Sequence, residues 1–228
     1  MERTNNMGYG ITYFLISLTN RCNKHCEYCV VKRWVNNLEF PDKMKTEDLI
    51  AFLKKEFQAG DVVELTGGEP TLFLDLEMLL SWLKEHEARV ILRTNGLHLS
   101  KWRGNYDNLV VVLAKHDSGD DYMNERKKYL LPCDLVLDGI PENIKQKKRF
   151  EPVFIADETS PLTSHPFKKT CFISADGKVK SMPCCSEDMG TVWDYTPRLY
   201  RCCKDCSHTL GAWNLVQRIG NQFFTQRT

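Results

Sequence analysis

Short runs of Val, Ile and Leu recur at residues 11–18, 62–65, 90–92, 109–113, 135–137 and 153–155, with helix-period segments between them. The runs are apolar without strict alternation, the pattern of strands buried on both faces. Between the first two, Leu49, Ile50, Leu53 and Phe57 fall at steps of three and four after Thr46, an expected N-cap, and Gly60 is placed to end that helix. Leu76, Leu79, Leu80 and Leu83 form a second apolar stripe, and 121–131 and 141–150 are weaker helical segments. Strand–helix alternation repeated this way demands an α/β fold with parallel strands and helices outside. Six units are too few for a closed eight-fold barrel, so an open partial barrel or a doubly wound sheet remains. In either, chemistry belongs at the C-terminal ends of the strands.

Beyond residue 160 the texture changes, as Pro161, Pro166, Gly177, Pro183, Gly190 and Pro197 interrupt the chain and cysteine replaces Val and Ile. We expect a core over 1–160 and a small metal-stapled appendage over 161–228, ending in a helix around 213–224. A chain of 228 residues has room for that much and little more. The net charge of +1 gives no support to a nucleic-acid partner, and the basic runs 126–128 and 145–149 read as solvated helix faces. No charged-then-apolar leader opens the chain, and no apolar run approaches the roughly 18 residues of a membrane span. The expectation is therefore a cytoplasmic protein without a membrane partner, in which clustered cysteines mean metal before disulfide.

The ten cysteines fall into two groups and one outlier. Cys22, Cys26 and Cys29 follow the first strand directly, in a Cys-x3-Cys-x2-Cys spacing. Three thiolates on one loop can hold three irons of a cubane and leave the fourth iron open for chemistry; zinc is the plainer alternative. Cys133 stands alone and reads as a buried apolar residue. Six more crowd into 171–206.

Two further motifs sit at strand ends: Glu64-Leu65-Thr66-Gly67-Gly68-Glu69-Pro70 after the second, and Arg93-Thr94-Asn95-Gly96 after the third. Together with the triplet they make the chain resemble the radical S-adenosylmethionine (radical SAM) enzymes. The resemblance implies that Cys22, Cys26 and Cys29 bind a [4Fe-4S] cluster and that the Tyr28 ring packs by the adenine of S-adenosylmethionine. It implies that Gly67, Gly68 and Glu69 receive the methionine amino group; Gly allows close backbone approach, and a carboxylate suits an ammonium. Thr94 and Asn95 would face cofactor or substrate, although a turn-capping role for Asn95 is open. Lys115 and His116, after the fourth strand, fall where relatives touch ribose or carboxylate. His116 is a candidate general acid or base, with a surface role as the alternative.

The later group, Cys171-x12-Cys184-Cys185 and Cys202-Cys203-x2-Cys206, spans an Asp176-Gly177 turn that marks a hairpin. It resembles the twitch module, a shortened SPASM domain. That likeness implies a second, auxiliary [4Fe-4S] cluster on Cys171, Cys184, Cys203 and Cys206. Cys185 and Cys202 can substitute for their neighbours, and a zinc knuckle would use the same four ligands. With no cysteine after Cys206, only one auxiliary site is expected.

The implied function is reductive cleavage of S-adenosylmethionine to a 5′-deoxyadenosyl radical. That radical would abstract hydrogen from a small-molecule or nucleotide-like substrate, with a reduced flavodoxin- or ferredoxin-type donor supplying the electron. A peptide maturase, a glycyl-radical activase and a non-catalytic iron–sulfur or zinc scaffold are the alternatives.

Overall fold

The computed structural model describes residues 11–26, 29, 31–102, 105–106, 108–114, 128–130, 134–137, 169–180, 188–195 and 216. The strand expected at 153–155, the helices expected at 141–150 and 213–224, and Cys133 lie outside these residues or almost wholly so, as does most of 121–131.

Five strands follow one another in the order anticipated: β1 (Thr12–Thr19), β2 (Val62–Gly67), β3 (Arg89–Thr94), β4 (Leu109–Ala114) and β5 (Leu135–Leu137). Each hydrogen-bonds in parallel to the next. Helix α1 (Thr46–Glu56) connects β1 to β2, α2 (Leu76–Glu85) connects β2 to β3, and the single turn α3 (Leu99–Trp102) precedes β4. Two local expectations shift. The α1 N-cap is Lys45, because the Thr46 hydroxyl bonds Asp75 Oδ2 at 3.4 Å instead. The helix stops at Phe57, whose N–H closes on the Leu53 carbonyl, and Gly60 (φ +89°) turns the chain into β2.

The sheet does not end at β1. Strand β6 (Lys169–Ile173) pairs in parallel with it, setting Phe14 opposite Cys171. From β6 a hairpin leads to β7 (Lys178–Lys180), and β8 (Asp188–Thr191) follows antiparallel. The order is β5-β4-β3-β2-β1-β6-β7-β8. The sixth parallel strand among the described residues is thus one that the sequence reading placed in the appendage, and it lies beside β1. Its position follows from burial: Thr170, Cys171 and Ile173 are all within 1% of full burial, as a strand inside a sheet must be.

One face of the sheet carries the core. Phe14, Ile16 and Leu18 of β1 and the matching residues of β2 to β4 pack against Leu49, Phe52 and Leu53 of α1 and the α2 stripe Leu76, Leu79, Leu80 and Leu83. Cys171, Ile173, Val179 and Met189 extend this cluster across β6 to β8. The other face is partly polar. The Tyr13 hydroxyl donates to Glu64 Oε2, and Arg93 reaches Glu64 Oε1 through Nε at 2.7 Å.

Candidate active site

Because β1, β2 and β3 are parallel, their C-terminal ends share one edge, and all three motifs emerge there. The cysteine loop begins by folding onto the β2 turn: Gly68 N–H donates to the Thr19 carbonyl at 2.7 Å and Glu69 N–H to the Arg21 carbonyl at 2.8 Å. This approach explains both glycines. A Cβ on Gly67 (φ +129°) would lie 2.5 Å from the Thr19 oxygen, and one on Gly68 would overlap the Arg21 carbonyl. The close backbone approach is therefore to the cysteine loop itself, at least in part.

Glu69 is buried, 1% exposed, and joins two strand ends. Its Oε1 accepts from Thr71 N–H (3.1 Å), the Thr71 hydroxyl (2.6 Å) and the Thr94 hydroxyl (2.6 Å), while Oε2 accepts from Asn95 N–H at 2.8 Å. Oε1 is saturated, whereas Oε2 keeps acceptor capacity. Asn95 then reaches the cysteine loop, donating from Nδ2 to Asn23 Oδ1 at 2.9 Å, and caps its own turn by accepting from Leu97 N–H at 3.0 Å. The turn role foreseen for Asn95 is thus present, and the same side chain also ties its turn to the cysteine loop.

None of Cys22, Cys26 and Cys29 is in a disulfide, and Cys26 is buried. Burial pushes the Cys22 thiol up; the N–H groups of Lys24 and Asn23 oppose this, and the charge of Glu69 and the Cys29 thiol add to it. Burial raises Cys29 as well, against the Val31 N–H and the Lys32 charge. Such thiols bind metal as thiolates, releasing their protons to solvent as the metal binds. Thiols spread along one loop suit a cluster in which each iron has its own cysteine.

Of the residues singled out in the sequence, Cys22, Cys26, Cys29, Gly67, Gly68, Glu69, Thr94 and Asn95 gather at this edge. Tyr28, Lys115, His116, Cys184, Cys203 and Cys206 lie outside the described residues. Cys171 is wholly buried in the core cluster, away from the cysteine loop's own edge contacts. The sequence reading missed the residues that shape the loop. Asp42 accepts from the Thr19 hydroxyl and, at 2.7 Å, from Asn20 N–H. It follows Pro41, a turn pairing that could have pointed to it. It missed the Tyr13–Glu64–Arg93 network too, although charged residues inside two apolar runs were the signal. A cleft of about 720 Å³ beside the loop, lined by Asn20, Arg21, Leu38, Asp42 and Phe73, contains none of the cysteines.

A parallel sheet that gathers a cysteine triplet and a Gly-Gly-Glu turn at its C-terminal edge defines an iron–sulfur enzyme of the partial-barrel type. Residues 16–152, more than half of the chain, match the model of the radical SAM superfamily, and the protein belongs to that superfamily. Its relatives include the GTP 3′,8-cyclase of Aliarcobacter butzleri, 32% identical over 147 residues that cover 62% of this chain and 45% of the relative. The molybdenum cofactor biosynthesis protein 1 of Bos taurus is 34% identical over 101 residues, covering 43% of this chain and 16% of that one. The chain thus spans less than half the length of these relatives. Among solved structures, BtrN in complex with AdoMet and 2-DOIA superposes with a TM-score of 0.51 over 95% of this chain and 90% of its own, at 14% identity, a likeness of fold. Among the described residues no helix is long and apolar enough to cross a membrane.

Proposed function

We propose that Cys22, Cys26 and Cys29 hold a [4Fe-4S] cluster with one open iron, and that S-adenosylmethionine binds between it and the turns at Gly67–Glu69 and Thr94–Asn95. The observation that carries this reading is the meeting of all three motifs at one sheet edge, tied by hydrogen bonds from Gly68, Glu69 and Asn95 to the cysteine loop. Once bound, the cluster and S-adenosylmethionine supply a 5′-deoxyadenosyl radical that takes a hydrogen atom from an unactivated carbon. The chain's own part is positional. Glu69 Oε2 offers acceptor capacity to an ammonium, and its four protein donors hold it rigid before any ligand arrives. Tyr28, Lys115 and His116 complete the proposed site, with His116 as the acid–base candidate.

The proposed substrate is nucleotide-like, supported by the relatives named GTP 3′,8-cyclase. A reduced flavodoxin or ferredoxin is the proposed electron donor. Residues 161–228 are proposed to carry an auxiliary cluster on Cys171, Cys184, Cys203 and Cys206, which brings the total to about eight irons per chain; about four irons with one zinc would replace that auxiliary cluster by a zinc knuckle.

The test is anaerobic. Reconstituted, reduced protein is incubated with S-adenosylmethionine, with and without GTP and other purine nucleotides, and 5′-deoxyadenosine is quantified. We expect it to form in the wild type and not in Cys26→Ala, and to rise with the nucleotide that is substrate. A wild type that holds its cluster yet forms none under any of these conditions overturns the reading.

A further inference from the structure

Asn36 lies fourteen residues beyond Cys22 and is exposed, yet its backbone is left-handed, at φ +54°. If only the turn mattered, glycine would serve it at no steric cost. The asparagine side chain has a specific employment. Its Oδ1 accepts from Cys22 N–H at 2.9 Å, and its Nδ2 donates to the Cys22 carbonyl at 2.8 Å. One amide thus grips both polar groups of one residue, as a neighbouring strand would. The Asn36 N–H donates in turn to the Asn20 carbonyl at 2.7 Å. Three hydrogen bonds therefore bracket the first cysteine of the triplet.

The consequence is geometric. With its N–H and C=O both held, Cys22 has a fixed direction for its Cα–Cβ bond, which confines its sulfur to the few staggered positions about that bond. Asn37, next in the chain, bonds only locally, to the Arg33 carbonyl and Glu39 N–H.

We infer that Asn36 is a positioning residue for the cluster: its amide presets the Cys22 thiolate for iron. This rests on the proposal that the triplet is the cluster site. Partners one shell beyond a metal ligand typically contribute 10–100-fold to metal affinity.

The test uses the full chain, reconstituted anaerobically with iron and sulfide and then challenged with an iron chelator. The component lost in Cys22→Ala identifies the triplet's cluster. Asn36→Gly keeps the left-handed backbone and deletes the amide, and should release that iron about 10–100-fold faster than wild type. Its reduced cluster should show a broadened electron paramagnetic resonance signal. Asn36→Asp keeps an acceptor for Cys22 N–H but loses the donor, and should fall between the two. Asn37→Ala should match wild type. Thermal unfolding of each apo variant separates a fold defect from a ligand defect; if Asn36→Gly is unstable, Asn36→Asp against Asn37→Ala carries the same comparison. Release from Asn36→Gly and Asn36→Asp at the wild-type rate overturns the inference alone. A wild type with no Cys22-dependent cluster overturns the triplet reading beneath it.

Discussion

Each oxygen of Glu69 faces a backbone N–H that only an acceptor can satisfy, Thr71 N–H at Oε1 and Asn95 N–H at Oε2. Replacing Glu69 with Gln turns one of its two oxygens into an NH2 group, which then faces one of those two N–H groups. A buried donor facing a donor costs about 1–3 kcal/mol. Glu69→Gln should therefore lower the thermal midpoint of the apo protein as well as weaken S-adenosylmethionine binding. Calorimetry on the apo form separates the two effects: an unchanged midpoint would mean that the carboxylate serves the ligand alone. Gly68 makes a complementary case. Gly68→Ala puts a methyl group into the Arg21 carbonyl, so the cysteine loop must lift off the β2 turn. We expect an overpacking cost of about 1–3 kcal/mol together with reduced iron uptake, read by chemical denaturation and by iron assay. These glycines were legible in the sequence as a close-approach motif. What approaches them was not, because that depends on the register at which the loop leaves β1.

Between strands, the Tyr13–Glu64–Arg93 network ties β1, β2 and β3 on the face away from the helices. Burial holds the Tyr13 hydroxyl well above its ordinary value of 10.0, and the neighbouring Glu64 charge adds to this against the lowering effect of Arg93. A folded-state value above the unfolded one means that the native state keeps its proton longer. The associated stability is complete below pH 10.0 and is lost as pH rises past it. Wild type should thus lose thermal stability steeply above that pH, and Tyr13→Phe, although weaker at neutral pH, should lose less. Equal slopes for the two proteins on the alkaline side would rule out Tyr13 as the group responsible. Strand identity was readable from unbroken Val, Ile and Leu, since burial on both faces writes that pattern directly. The network was not, because one Glu or Arg in such a run looks like a flaw until the partner strand's register sets Leu15 beside Glu64.

For the molecule as a whole, the question is whether the segment after residue 160 is an attachment or a part of the sheet. Strand β6 takes up the free edge of β1 over five paired positions, and Cys171 and Ile173 share the cluster that contains Phe14 and Phe52. The hairpin turn goes further. The Ala175 carbonyl accepts both Lys43 N–H at 3.0 Å and Met44 N–H at 3.1 Å, so the turn holds the cysteine loop where it returns to α1. Sequence texture alone located the change in composition near 160 but could not show this docking, which joins residues more than 130 apart. A chain ending at residue 160 would leave the ladder of β1 unpaired on one side and open the apolar face over Phe14, an edge prone to pair with other copies. We expect such a chain to lose cooperative unfolding and to associate, even with its three cysteines intact. The measurement is near-ultraviolet circular dichroism through a thermal ramp, with sedimentation at two concentrations. A truncated chain that stays monomeric and melts in one sharp step would show that β1 to β5 fold without β6. The described contacts argue the opposite: the edge that receives β6 belongs to the strand that launches the cysteine loop, so losing one disorders the other.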